Sequence, residues 1–173
     1  MAALTAIQRA EDRRRRGTSR TTVEGMRIHA LPTDVLDRAR ERAAVDGHHE
    51  SHRESAGAPL RCCLRKAEAG EPLILFRYTP TAGVGPYEEV GPVFAHAEPC
   101  EGPKSTAEFP EAFRHAARTL RAYTAEGRIH DGEIAQPGTL DDRVTALLDN
   151  PEVAEIQVRS VSHGCFLFAI TRE

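Results

Sequence analysis

The sequence predicts a single α+β domain built on a largely antiparallel sheet, with two or three helices. Three observations carry this reading. Apolar segments of strand length recur at 73–78, 93–97, 154–161 and 165–170. Turn residues such as Gly127 and the Ser162-His163-Gly164 run separate neighbouring strand candidates closely enough for hairpins. Strands and helices do not alternate regularly, as a parallel sheet would require.

The elements follow in order. Residues 3–16 have the makings of a marginal helix, with Leu4 and Ile7 as its larger apolar residues, and 17–25 read as linker. From Met26, Arg-Ile-His-Ala-Leu reads as a short strand stopped by Pro32. A helix capped by Thr33 follows, with Val35, Leu36, Ala39, Ala43 and Ala44 near helical spacing and Gly47 at its end. His48–Ser55 has no apolar periodicity and reads as an exposed loop. Leu60–Leu64 is a strand candidate, 67–72 a turn, and Leu73–Tyr78 a strong apolar strand. Residues 79–86 form a turn-rich loop, Val93–Ala97 a strand, and 98–109 a loop. Pro110 is suited to opening a short helix reaching Ala117. Leu120–Thr124 and Arg128–Ile134 read as a hairpin. Thr139 then starts an amphipathic helix with Asp141 and Asp142 in its first turn and Leu140, Val144, Leu147 and Leu148 on one face. Ala154–Val161 and Cys165–Ile170 close the chain as strands.

Composition narrows the function classes. The 173 residues are 40% hydrophobic and 28% charged, ordinary values for a soluble globular protein with a core that needs no disulfide or metal to hold it. No apolar run approaches the ~20 residues of a membrane span. The N-terminus turns charged before a secretory apolar stretch develops, so a cytoplasmic protein is expected, with its four cysteines reduced. Charge is uneven. Residues 1–25 carry six arginines and a net charge of +3, leaving −6 on residues 26–173. That arm lacks aromatic residues and ends in a polar run, so it reads as a disordered leader rather than a nucleic-acid-binding element. The domain is expected to span 26–173.

Chemistry-bearing residues concentrate in three places. In Arg61-Cys62-Cys63-Leu64-Arg65, a strand would put Arg61, Cys63 and Arg65 on one face, where two guanidiniums favour an anion and lower the pKa of the thiol between them. Gly85-Pro86-Tyr87-Glu88-Glu89 fixes the backbone enough to hold Tyr87 and Glu89 in defined directions. Ser162-His163-Gly164-Cys165 offers a thiol near an imidazole. His96 lies four residues before Cys100, a spacing loosely compatible with a metal site that Cys62 or Cys63 would complete. The chain has no CxxC pair, however, and no metal is assigned from sequence. His48, His49 and His52 would share a face only in a helix that Gly47 opposes. No GxSxG, HExxH or GxGxxG pattern occurs.

The run PLRCCLR, the run GPYEEVGPVFAH and the terminal GCFLFAITR together resemble an uncharacterised bacterial domain family of unknown function over about residues 26–172. The residues carrying the resemblance are Pro59, Arg61, Gly85, Pro86, Tyr87, Gly91, Pro92, Phe94, Gly164, Cys165, Phe166 and Arg172. The resemblance implies domain limits and no activity.

The expected function is therefore a pocket for a small anionic or polar metabolite. Arg61 and Arg65 would hold the anion, and Tyr87, Glu89 and His163 would complete the binding set. Cys165 or Cys63, with His96, would act if the protein is a cysteine-dependent enzyme. The alternative is a non-catalytic ligand-binding or protein-interaction module. The cofactor is unknown, no membrane partner is expected, and a homo-oligomer is compatible with the sequence.

Overall fold

The computed structural model describes residues 25–43, 45–80 and 85–173. The predicted leader helix at 3–16 and nearly all of the linker lie outside them. Among the described residues no helix is long and apolar enough to cross a membrane.

Among the described residues eight strands form two antiparallel sheets, accompanied by two helices. The strands are β1 (Met26–His29), β2 (His49–His52), β3 (Leu73–Tyr78), β4 (Gly91–His96), β5 (Arg118–Tyr123), β6 (Ile129–Ala135), β7 (Glu155–Ser160) and β8 (Phe166–Arg172). The helices are α1 (Thr33–Arg42) and α2 (Leu140–Leu148), and short 3-10 turns lie at Gly85–Tyr87 and Glu111–Phe113. The larger sheet has the order β1-β8-β7-β5-β6 and the smaller β2-β3-β4. The α+β class with a dominant antiparallel sheet is thus what the chain adopts.

Each sheet has its own apolar core. Leu140, Val144, Leu147 and Leu148 of α2, with Phe109 and Phe113, cover one face of the larger sheet through Leu120, Ile156, Val158 and Phe168. Leu36 and Ala39 of α1 pack with Leu73, Ile74 and Phe76 of β3 and Val93 and Ala95 of β4. Strand β8 serves both cores. Leu167, Phe168 and Ile170 enter the first and Phe166 and Ala169 the second. The register explains two successive residues on one side. Val158 pairs with Phe168 but Arg159 pairs with Phe166, so Leu167 is an inserted residue that shifts the alternation by one.

Four local expectations are corrected. Residues 48–55 contain strand β2, an edge strand paired with β3 from His49↔Phe76 to His52↔Leu73. Its histidines lie on aromatic rings: His49 stacks on Phe76 with centroids 6.0 Å apart, and His52 meets Phe94 edge-on at 5.4 Å. Residues 60–64 are a turn rather than a strand. Pro59 and Lys66 form a bridge, the Leu60 amide bonds the Arg65 carbonyl at 2.8 Å, and Leu64 adopts a left-handed φ of 57°. The helix expected at 110–117 is only the turn Glu111–Phe113. Neither Thr33 nor Thr139 caps a helix with its side chain; the Thr139 hydroxyl donates instead to the Gln136 carbonyl at 3.1 Å.

Candidate functional site

The turn at 60–66 places Cys62 and Cys63 against the end of β4. Because the turn folds back on itself, both thiols face His96, which a strand could not arrange. Cys62 Sγ lies 3.4 Å and Cys63 Sγ 3.9 Å from His96 Nδ1, and the two sulfurs are 3.9 Å apart. Cys100, four residues beyond His96, joins them. One ligand atom from each of Cys62, Cys63, His96 and Cys100 lies within 4.8 Å of all the others. Cys62 is buried, Cys63 and His96 are half-buried, and Cys100 is exposed.

Main-chain amides support the sulfurs. The His96 amide donates to Cys62 Sγ at 3.4 Å, and the Arg65 and Gly102 amides favour the thiolate forms of Cys63 and Cys100. The thiols also act on one another. Donation from Cys62 to Cys63, together with burial, pushes the Cys62 thiol well up, and the same bond pulls Cys63 down. Burial raises Cys100.

The other ring nitrogen of His96 meets an ion pair. Arg65 Nη2 lies 3.0 Å from His96 Nε2, and Glu71 Oε1 is 3.5 Å from the same atom. Arg65 and Glu71 bond twice, through Nη1–Oε2 at 3.0 Å and a short Nη2–Oε1 contact. That guanidinium, with the Glu68 amide at 2.7 Å, holds the Glu71 carboxyl down at about 2.

The cluster opens into a cleft of about 640 Å³. Cys63, Arg65, His96 and Cys100 lie at one end, Leu64, Phe109, Pro110 and Ala112 give an apolar wall, and Lys104 and Arg114 bring positive charge. Arg114 is engaged with Asp141 at 2.6 Å. Lys104 is exposed and makes no ion pair among the described residues.

The remaining predicted site residues lie elsewhere. Arg61 is buried, and its donors go to the Phe166 carbonyl at 2.8 Å and to the Pro59 carbonyl, so it fastens the turn to β8. Burial lowers its pKa to about 10. Glu89 bridges Arg121 at 2.6 Å and Arg159 at 2.7 Å over the face of the larger sheet opposite α2, and Tyr87 on the same segment is exposed. Arg159 also bonds Gln157, which is fully buried. The His163 ring bonds Ser162 Oγ at 2.9 Å, whereas Cys165 Sγ reaches the His163 carbonyl, at 3.8 Å, and not the ring. The structure thus brings Cys63, Arg65 and His96 together and leaves Arg61, Tyr87, Glu89, His163 and Cys165 outside the cleft.

Sequence reasoning raised Cys62 and Cys100 only as parts of a metal site it did not assign, and it did not single out Glu71 or Lys104. The His96-to-Cys100 spacing was the available signal for Cys100. Glu71 and Lys104 carried none, because ordinary loop charges look the same in sequence.

Comparison with known proteins places the chain. No curated protein and no solved structure matches it. A family model does, over residues 57–172, which take in the CysCys turn, β4, Cys100 and the whole cleft. The chain belongs to the DUF1203 family of proteins of unknown function.

Proposed function

We propose that the protein binds a small polar or anionic molecule in the cleft between the 60–66 turn and residues 100–114. The observation that carries this reading is the cleft itself: about 640 Å³, with an apolar wall at Leu64 and Phe109 and polar groups converging from Arg65, His96 and Lys104. A mostly apolar concavity with a few directed polar groups is the usual form of a small-molecule site. Lys104 is the anchor for negative charge, because Arg65 and Arg114 already serve Glu71 and Asp141.

Titration with inorganic phosphate and short dicarboxylates, followed by amide chemical shifts, tests the reading. Shifts clustered on 63–65, 96 and 100–114, and weakened by Lys104→Ala, are expected. Shifts confined to the Arg121–Arg159 face, or affinity unchanged by Lys104→Ala, would reject it.

A second reading, a cysteine-dependent enzyme, is favoured by one observation. Cys63 is half-buried beside the cleft, its thiol is pulled down by Cys62, and His96 Nδ1 is 3.9 Å away. A lowered pKa raises the fraction of nucleophilic thiolate near neutral pH.

A further inference from the structure

We infer that Cys62, Cys63, His96 and Cys100 form a tetrahedral binding site for one divalent zinc-class ion. The inference goes beyond the cleft reading and does not depend on it.

Geometry is the first argument. Zinc–sulfur and zinc–nitrogen bonds of about 2.3 and 2.0–2.1 Å at tetrahedral angles place neighbouring sulfurs about 3.8 Å apart and sulfur and nitrogen about 3.6 Å apart. The observed separations are 3.9 Å for Cys62–Cys63, 3.4 Å for Cys62–His96 and 3.9 Å for Cys63–His96. Cys100 completes the set inside the common 4.8 Å limit. Three soft sulfur donors and one imidazole select zinc over magnesium or calcium, which require oxygen.

The main chain is the second argument. The Cys62 sulfur accepts the His96 N–H at 3.4 Å, and the Arg65 and Gly102 amides sit where they favour negative charge on Cys63 and Cys100. A thiolate accepts such bonds far better than a thiol, and three amides spread the negative charge that a metal-bound sulfur retains. Two of these amides lie two residues after their cysteine, and the backbone follows suit, with Leu64 at φ 57° and Gly102 at φ 79°. The Leu64 conformation is costly for a non-glycine residue. It turns the chain back directly after Cys63, bringing Arg65 to His96.

The outer partner of His96 is the third. With Nδ1 on the ion, Nε2 carries the proton and needs an acceptor, and Glu71 Oε1 is already 3.5 Å away. Arg65 Nη2, which faces Nε2 at 3.0 Å, must then withdraw, while its Nη1 bond to Glu71 at 3.0 Å still holds it. Binding converts three S–H groups to thiolates, with their three protons released to solvent. A site with four protein ligands is structural rather than catalytic. Here it would tie the 98–109 connection, one wall of the cleft, to the 60–66 turn.

The test uses the full chain, reduced, stripped of metal and titrated with Co²⁺ and then Zn²⁺. The expected result is one Co²⁺ per chain, with the intense ligand-field and thiolate charge-transfer absorption of tetrahedral cobalt, displaced by one equivalent of Zn²⁺. Cys100→Ser and His96→Asn should each weaken binding by at least about tenfold and dim the charge-transfer band, Glu71→Gln should weaken it by about tenfold, and Cys165→Ser should change nothing. A weak octahedral spectrum in the unmodified protein, or binding that survives the joint change of Cys62 and Cys63 to serine, overturns the inference. The unmodified protein decides the matter even if a variant fails to fold. No cleft ligand enters the titration, so its failure leaves the proposed function standing.

Discussion

Cys62 and Leu64 sit two positions apart in one turn and are buried in different cores. Cys62 is 3% exposed among Leu60, Val93 and Ala95, whereas Leu64 is 4% exposed among Phe109, Phe113 and their neighbours. The left-handed conformation of Leu64 makes this division possible, and its apolar side chain holds the residue there against the strain.

Leu64→Gly therefore separates two opposing effects. Glycine relieves a strained φ worth about 1 kcal/mol, but removing a buried leucine side chain costs about 2–5 kcal/mol. Net destabilisation of about 1–4 kcal/mol is expected in urea unfolding. A stabilised variant would show that the side chain contributes little to the first core.

Glu71 sets an acid limb. Its carboxyl is held down at about 2 by Arg65, below the 4.5 of the free group. A depressed folded pKa means that the contribution is fully present above about 4.5 and disappears as pH falls toward about 2. The melting-temperature gap between the unmodified protein and Glu71→Gln should be constant from pH 7 to 5 and close below pH 4. The pair is partly open to water, so the gap should correspond to about 1 kcal/mol or less. A gap that widens on acidification would contradict this assignment.

The Glu89 network predicts non-additivity. Glu89→Ala strands Arg159, whose side chain is 7% exposed, and should cost about 1–3 kcal/mol. Adding Arg159→Met removes the stranded charge and should restore part of the loss. Strictly additive costs in the double variant would show that the ion pair carries no coupling.

Alkylation of the metal-free protein should be ordered. Cys63 is half-buried at the cleft with its thiol pulled down, whereas Cys62 is buried with its thiol pushed up. At pH 7, iodoacetamide should modify Cys63 faster than Cys62 by on the order of tenfold or more, read by peptide mass spectrometry. Equal rates would mean that the turn opens and exposes both.

Strand β3 was legible because Leu73–Phe76 is apolar without interruption, as a strand covered on both faces must be. Strand β2 was not, because His-Glu-Ser-His has no apolar residue and becomes a strand only by pairing with β3. The 60–64 turn was misread for a related reason. Its reversal rests on a leucine at positive φ, where sequence reasoning looks for glycine or asparagine. The candidate site was half visible. Cys63, Arg65 and His96 were singled out by residue type, but their convergence depends on the bridge between Leu60 and Phe94, a contact across 34 residues that no local pattern encodes.

The inserted residue in β8 has a consequence for how the molecule comes apart. A single strand supplies Phe168 and Ile170 to one core and Phe166 and Ala169 to the other, so neither apolar cluster can open without exposing part of its neighbour. The two sheets should therefore melt together, in one cooperative transition rather than two. Hydrogen exchange should show β8 as the slowest-opening strand of the larger sheet.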